Sequence, residues 1–579
     1  MGIFSAERVR ERRECDPVAG AASGLTEQTA YSADRGRIAS IGGTAATRTR
    51  NKVRERTLAS VVSRPLALCG AKQLSHVTPA AIWCRGYGSQ ALPTNLSTRR
   101  SEGITSMASL EGEHFRNPSR RSFIAGTLAT ALGGLAGCAA PVGSRRSYFS
   151  DLVGTGSVLE PDAFWTDVMF QGVRDQKLGP PLAARVYAFG HLAGFLAVNG
   201  IEGGCYASPY PEIATAPAGA SSRAAYAAAV SVAAAEALQT PLVFDRIRYL
   251  KQLPEPGESI EKGVRWGEAV GKVVQRRRTI DGGHPEKANV YLDPNYTPRR
   301  TVDSWSLTLP HFESGVGPRF PSYERGALPN LGNMQPFSFD SKYEFPTPPF
   351  PDVKSQEFAE EFVEVHTSGA WNSTVRTEDE TQIAFFWEDG PRGATVPAWW
   401  LLLGLHLMNE RGHYSLLERS RLLALLSVAM CDGGIAAWHT KYDLDILRPE
   451  TAIRYSASAF CNPDPRVKVD RHWRSLIVTP PFPAYVSGHS TFGGAGAEML
   501  KLWFDSDRAE FTLSPLDLVN WPTRLVGVTR SFTSFTQAAE ENGWSRIYGG
   551  VHWPSDHLHG DAKGRAIARH VFQNYLPMA

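Results

Sequence analysis

From residue 161 onward, apolar positions recur every three or four residues, the period of a helix lying against a core. Phe164, Val168, Met169 and Val173 open the series. Val186, Phe189, Leu192, Phe195 and Leu196 predict a second helix over Leu182–Val198, and Pro180 and Pro181 just before it suit a helix start. The Ala-rich run Ser221–Leu238 is strongly helix-forming, and Val243–Leu253 and Ser259–Arg278 continue the pattern. After an interruption it resumes at Asp352–Ser368, Thr377–Trp387, Pro397–Glu410 and Ser415–His439. The last of these places Leu416, Leu417, Leu422, Leu423, Leu426 and Val428 on one stripe, and its charges Glu418, Arg419 and Arg421 speak against a membrane span. Further helices are predicted at Ser487–Trp503, Thr533–Trp544 and Ser555–Tyr575. Convincing alternating strands are few, so the pattern predicts an all-α architecture.

The interruption divides the helical part into an N-terminal region, 161–280, and a C-terminal one, 357–579. Residues 281–356 are dense in Pro, Gly, Asn and aromatics, as in Pro346-Thr347-Pro348-Pro349-Phe350-Pro351. A structureless loop of this length is unusual in a compact domain, and aromatics argue against simple disorder. The segment reads either as an ordered wrap over the helices, bordering a site, or as a linker between two halves.

Before residue 161 the pattern is different. Residues 1–106 are rich in Arg, Ser, Thr and Ala, with no sustained apolar period. They read as a disordered extension or a transit peptide, although Glu7, Glu11, Glu14, Asp16, Glu27 and Asp34 fit the latter poorly. Ser119-Arg120-Arg121-Ser122-Phe123-Ile124 resembles a twin-arginine export signal. The apolar stretch Phe123–Leu135 after it is too short to span a bilayer and the right size for a signal peptide. Leu135-Ala136-Gly137-Cys138 then resembles a lipobox, in which Cys138 is acylated. Because such signals sit at N-termini, the expectation is a true start at Met107, with 1–106 an over-extension of the gene. Residues 107–138 would then be the signal and 139–160 a linker, and the protein would be exported to the periplasm or cell surface on a lipid anchor.

Composition narrows the class only a little. The chain is 42% hydrophobic and 21% charged, as globular proteins are, and a net charge of +3 gives no field directed at nucleic acid. The seven Cys contain no CxxC pair, which leaves no sign of a zinc site or dense disulfide framework.

Three short motifs carry the candidate chemistry: Lys441 and Arg448 with six residues between them, then Ser487-Gly488-His489, then Arg546 and His552. Two guanidinium forks and an ammonium match the oxygens of a tetrahedral or five-coordinate oxyanion. Ser-Gly amides at a helix start add donors. One His can bond the central atom while the other moves protons.

In this order and spacing the motifs resemble the vanadium-dependent haloperoxidases and the type 2 phosphatidic acid phosphatase superfamily that shares their anion site. The resemblance extends over DGGIAAWHTKYDLDILRPETAIR (Asp432–Arg454), TPPFPAYVSGHSTFGGA (Thr479–Ala495) and FTSFTQAAEENGWSRIYGGVHW (Phe532–Trp553). It implies two helical bundles, with the anion site in the second. It implies vanadate bonded by His552, with Lys441, Arg448 and Arg546 neutralising its oxygens, and Ser487 and Gly488 hydrogen-bonding them. His489 would be the acid–base residue. Hydrogen peroxide, a halide and an organic acceptor would be the reactants. Trp438 and Phe482 align with aromatic positions of the family's halide pocket, or are plain core residues. Asp556, four residues after His552, either orients a site histidine or is an N-terminal helix carboxylate. One departure is Val486, where the family usually has Pro before Ser-Gly-His.

The resemblance leaves an alternative: a phosphatase, without vanadate, in which His552 forms a phosphohistidine and His489 protonates the leaving alcohol. The helical region before the motifs, Trp438 and Phe482 favour the haloperoxidase, bromide and also chloride being its expected halides. An exported oxyanion-binding lipoprotein without turnover would keep the cations but has no need of two positioned His.

Overall fold

Proline and serine start most of the helices. The computed structural model describes residues 160–283, 301–306, 326–341, 344–516, 521 and 523–579. The expectations for 1–106, the twin-arginine segment, Cys138 and the linker up to 159 lie outside these residues. Helices α1 (Pro161–Asp175) and α2 (Pro180–Ile201) begin on proline, whose fixed φ and missing N–H suit a first turn. Helix α3 (Ser222–Leu238) starts at Ser221, whose hydroxyl accepts the Ala224 N–H; α4 (Val243–Leu250) and α5 (Gly257–Arg278) complete the first set. Helices α2, α3 and α5 pack on one another, and α1 and α4 lie against α3.

The second set comprises α6 (Gln356–Ser368), α7 (Glu378–Phe386), α8 (Val396–Arg411) and α9 (Leu416–Leu444). It continues with a three-residue turn, α10 (Pro449–Thr451), then α11 (Gly488–Phe504), α12 (Phe535–Tyr548) and α13 (Pro554–Asn574). Capping boxes start α7 (Thr377 with Glu380) and α9 (Ser415 with Glu418), each satisfying two otherwise unpaired helix N–H groups. The described chain is therefore helix-dominated, as its apolar period predicts. The predicted helix start at Thr533 falls instead in a two-stranded antiparallel ribbon, β1 (Arg508–Leu513) with β2 (Arg530–Ser534). Its inward positions Ala509, Phe511 and Leu513 do alternate, but over only six residues.

Helix α9 is the axis of the fold. It packs against α2 of the first set and α11 and α13 of the second. Residues 422–438 are buried all round, the mark of a core helix rather than a surface one. Helices α2 and α9 are each long and apolar enough to cross a membrane, yet both are sheathed by the other helices. The charges at the start of α9 have specific partners: Glu418 closes the capping box, buried Arg419 binds buried Asp162 of α1 at 2.8 Å, and Arg421 donates to the Leu576 carbonyl. Asp432, wholly buried in mid-helix, accepts the Phe337 and Ser338 N–H groups at 2.7 and 3.0 Å. The described parts of 281–356 are tied down in the same manner elsewhere. Lys563 donates to the Phe345 carbonyl, Tyr485 to that of Pro348, and the Ala327 N–H to that of Pro481.

Helices α11 and α13 approach each other closely at Gly564. A Cβ on Gly564 would lie 2.1 Å from the Thr491 carbonyl oxygen, which is backbone and cannot swing aside. We expect Gly564→Ala to destabilise the protein by about 1–3 kcal/mol through overpacking. The urea midpoint checks this, and an unchanged midpoint would mean that the two helices can part without cost.

Candidate functional site

Each candidate side chain stands at the end of an element. Lys441 is in the last turn of α9, and Arg448 precedes α10. Ser487 caps α11, Gly488 and His489 form its first turn, and Arg546 lies near the end of α12. His552 and Asp556 flank the start of α13. Helix ends converge here because specific contacts hold them. The Ser487 N–H donates to the Asp556 carbonyl (2.9 Å), and Asn542 Nδ2 donates to the His489 carbonyl (2.9 Å). Gly488 is required by the neighbour above it: a Cβ there would lie 3.0 Å from the Trp438 ring. The peptide between Tyr485 and Val486 is cis.

Three cations are buried together. Lys441 and Arg448 are wholly inaccessible and Arg546 nearly so. Lys441 Nζ donates to the carbonyls of Pro483 (3.0 Å) and Ala484 (2.8 Å). Arg448 donates through Nε to Phe482 O (2.7 Å) and through Nη1 to Val551 O (2.7 Å). Burial, then the Arg448 charge, pushes Lys441 well below the usual lysine range, while Asp556 opposes the shift. Burial lowers Arg448 to about 9 and Arg546 to about 10, so both guanidiniums are charged at neutral pH. Arg448 Nη2 and Arg546 Nε and Nη1 are buried with no hydrogen-bond partner among the described residues. Unmatched buried donors on charged groups are costly, so this arrangement fits an anion with several acceptor oxygens.

The two histidines are held differently. His552 Nδ1 donates to Asp556 Oδ2 at 2.7 Å, which leaves Nε2 as the unprotonated nitrogen; it accepts from Arg448 Nη1 at 3.0 Å. Burial and then the charges of Arg448, Lys441 and Arg546 hold His552 well below the usual imidazole range, keeping that lone pair available. Asp556 also accepts the Trp553 N–H at 3.0 Å, so it is both the histidine's orienting group and a first-turn helix carboxylate. Burial raises it to about 7, opposed by the Trp553 N–H, Lys441 and Arg448. His489 faces the carbonyls of Trp387 (3.0 Å) and Glu388 (3.2 Å) through Nε2, which must therefore carry the proton. Any proton that His489 exchanges with a ligand then passes through Nδ1. Burial followed by Arg546 lowers its pKa well below the ordinary value.

His489, His552, Arg546 and Gly488 open onto one cavity of about 450 Å³, which Trp438 and Phe482 also line. The two rings lie 5.0 Å apart at 48°, and Phe482 is flanked by Lys441 Nζ (5.2 Å) and the Arg448 guanidinium (4.8 Å). Every candidate in the described region is thus brought to one place.

Three contributors escaped the sequence reading. The Trp387 and Glu388 carbonyls that fix His489 are backbone atoms and leave no residue-type signal. Pro180, Pro181 and Leu328 wall the cavity from the other half of the chain. Glu361 of α6 accepts both the N–H (2.9 Å) and the hydroxyl (3.0 Å) of Ser555, next to Asp556. A signal for it existed, since an acid at 361 falls on the apolar stripe of Phe358, Phe362 and Val365.

Fold and site together define a helical-bundle protein in which buried cations gather beside an oriented histidine. Residues 421–578 match the VCPO second helical-bundle domain. The chain is similar to the vanadium chloroperoxidase of Curvularia inaequalis, 30% identical over 176 residues, covering 24% of this chain and 28% of that protein's length. Among solved structures it is similar to a bacterial vanadium-dependent iodoperoxidase (TM-score 0.58, 23% identity, 73% of this chain and 99% of that one). It is also similar to an apo-type bacterial vanadium-dependent chloroperoxidase (TM-score 0.56, 17% identity, 68% and 94%). These structural likenesses establish the fold. No group of three or more His, Cys, Asp or Glu side chains among the described residues could hold a metal ion. An oxyanion bonded by the single nitrogen of His552 and surrounded by cations is what the residues fit.

Burial, then the nearby Asp556 charge, raises Glu361 to about 8 from an ordinary 4.5. The folded state therefore binds this proton more tightly than the unfolded chain does. The stabilising contribution is full below pH 4.5 and is lost as pH rises through about 8. Glu361→Gln does not titrate, so its melting temperature relative to the wild type is expected to climb by several degrees between pH 5 and pH 8. A pH-independent difference would show that folding does not hold the Glu361 carboxyl protonated.

Proposed function

We propose that the chain is a vanadate-dependent haloperoxidase, oxidising bromide, and also chloride, with hydrogen peroxide: H2O2 + X⁻ + H⁺ → HOX + H2O. The halide loses two electrons and the peroxide is reduced. The observation that carries this reading is the set of partnerless guanidinium N–H groups on Arg448 and Arg546 around the unprotonated Nε2 of His552. The match to the VCPO second helical-bundle domain and the identity with the Curvularia inaequalis enzyme support it.

Bound vanadate would supply a Lewis-acidic centre that activates peroxide toward halide. His552 would hold it through Nε2, kept unprotonated by Asp556. Lys441, Arg448 and Arg546 would offset charge on its oxygens, with Ser487 Oγ and the Gly488 N–H as further donors; such preorganised groups need no reorientation during reaction. His489 would move a proton at Nδ1. Trp438 and Phe482 would present an apolar face to the halide, stripping its water. The same oriented Nε2 also suits phosphoryl transfer through a phosphohistidine, which is the second reading. Export and lipid anchoring at Cys138 are proposed from the sequence motifs alone.

Protein expressed from Met107 without the signal, given orthovanadate, peroxide and bromide, is expected to brominate a phenolic dye. The vanadate-free form should hydrolyse p-nitrophenyl phosphate only weakly. Efficient hydrolysis that vanadate inhibits, without bromination, would establish the phosphatase instead. His489→Ala should lower turnover by about 100-fold or more while vanadate still binds. His552→Ala should abolish activity and leave only weak electrostatic anion binding. Full activity in His552→Ala, or equal loss of binding and turnover in His489→Ala, would overturn these roles.

A further inference from the structure

The cavity above the site is far larger than its proposed inorganic reactants need. A volume of about 450 Å³ lies within the roughly 300–1,000 Å³ of pockets that enclose organic ligands, whereas one water's share of liquid volume is only about 30 Å³. Its walls are apolar and come from both halves of the chain: Pro180 and Pro181 from the start of α2, Leu328, and Val478, Phe482 and Phe492 from the second set. Its two exposed lining residues are both cations, Lys177 and Arg392. Neither has an ion-pair partner among the described residues. Both hold long side chains on positive-φ backbone, 54° at Lys177 and 93° at Arg392, a conformation that non-glycine residues rarely adopt. At Lys177 this is the left-handed turn that ends α1, where the Leu178 N–H returns to the Val173 carbonyl. The one acid in the lining, Glu388, is buried and accepts the Trp521 Nε1–H, so it does not neutralise the mouth.

We infer that this cavity binds the organic acceptor, and that the acceptor is an aromatic anion whose ring lies between the apolar walls and whose carboxylate meets Lys177 and Arg392. The inference rests on the haloperoxidase reading. Apolar walls and aromatic faces select a ring. Two unpaired cations at the opening select an anionic substituent and attract it over a distance that salt shortens. An electron-rich ring is also what hypohalous acid attacks: HOX + Ar–H → Ar–X + H2O. A ring electron pair forms the C–X bond, the O–X bond breaks, and the released hydroxide takes the ring proton as water. Halogenation would then occur on a held substrate rather than by free diffusion of the oxidant.

The test is a fluorescence titration of the protein expressed from Met107 with 6-hydroxy-2-naphthoate and with 2-naphthol. Phosphate fills the anion floor throughout, so that the carboxylate cannot occupy it. The naphthoate is expected to bind one to one and at least about tenfold more tightly than the neutral naphthol, with salt weakening only the former. In the Lys177→Gln, Arg392→Gln variant the preference should vanish while naphthol affinity is retained. Equal, salt-insensitive binding of the two ligands would overturn the anion assignment. No binding up to about 1 mM alongside normal bromide oxidation in the absence of any acceptor would overturn the pocket itself. Preferential naphthoate binding in a protein that oxidises no halide would instead remove the haloperoxidase reading and leave an aromatic-anion site.

Discussion

Confining Lys441, Arg448 and Arg546 in one dry pocket is the constraint around which this half of the molecule is built. Like charges gathered in a low-dielectric interior repel one another, and burying each also costs hydration. The fold answers with backbone carbonyls. Phe482, Pro483 and Ala484 lie in an irregular stretch between α10 and α11, and three successive carbonyl oxygens from it reach Arg448 and Lys441. A helix or strand commits its carbonyls to its own ladder and has none to spare for this purpose. The proline-rich sequence from Pro480 to Pro483 is thus part of the electrostatics as well as of the turn. Buried Asp556 and Glu388 offset only part of this charge, and the imbalance suits an anionic ligand.

The helical frame makes that confinement rigid. Helix α9 is buried along most of its length and delivers Lys441 from the centre of the core. Helices α11 and α13 touch backbone to backbone at Gly564, so the Ser487 turn and the His552–Asp556 pair cannot move independently. Glu361 extends the support outward by gripping Ser555 between His552 and Asp556. Each of these contacts fixes a distance that a charged site cannot leave to chance.

Much of this was legible in the sequence, for definite reasons. Helices with a strong apolar period, such as those at 180–201 and 416–444, announce themselves because burial on one or all faces dictates the residue types. The site residues were legible because charge, imidazole and a Ser-Gly turn recur in a fixed order. The β ribbon was obscured by its short strands. The fixing of His489 was invisible, since any residue has a carbonyl oxygen. Asp556 was left between two roles that geometry shows to be one. The walls at Pro180, Pro181 and Leu328 could not be read, because nothing local says which distant loop a proline will face. Glu361 could have been noticed as an acid on an apolar stripe, the one polar signal that burial cannot explain by itself.

The buried cations and histidines of the site come from residues after 440, but part of the cavity wall, with Lys177 and Arg392 at its mouth, comes from earlier ones. Reactivity and molecular fit are therefore inherited on different stretches of chain. Drift in the earlier stretch can reshape what enters without disturbing Lys441, Arg448, Arg546 or either histidine, and a lineage with this scaffold is free to change its clientele while the charged floor stands still.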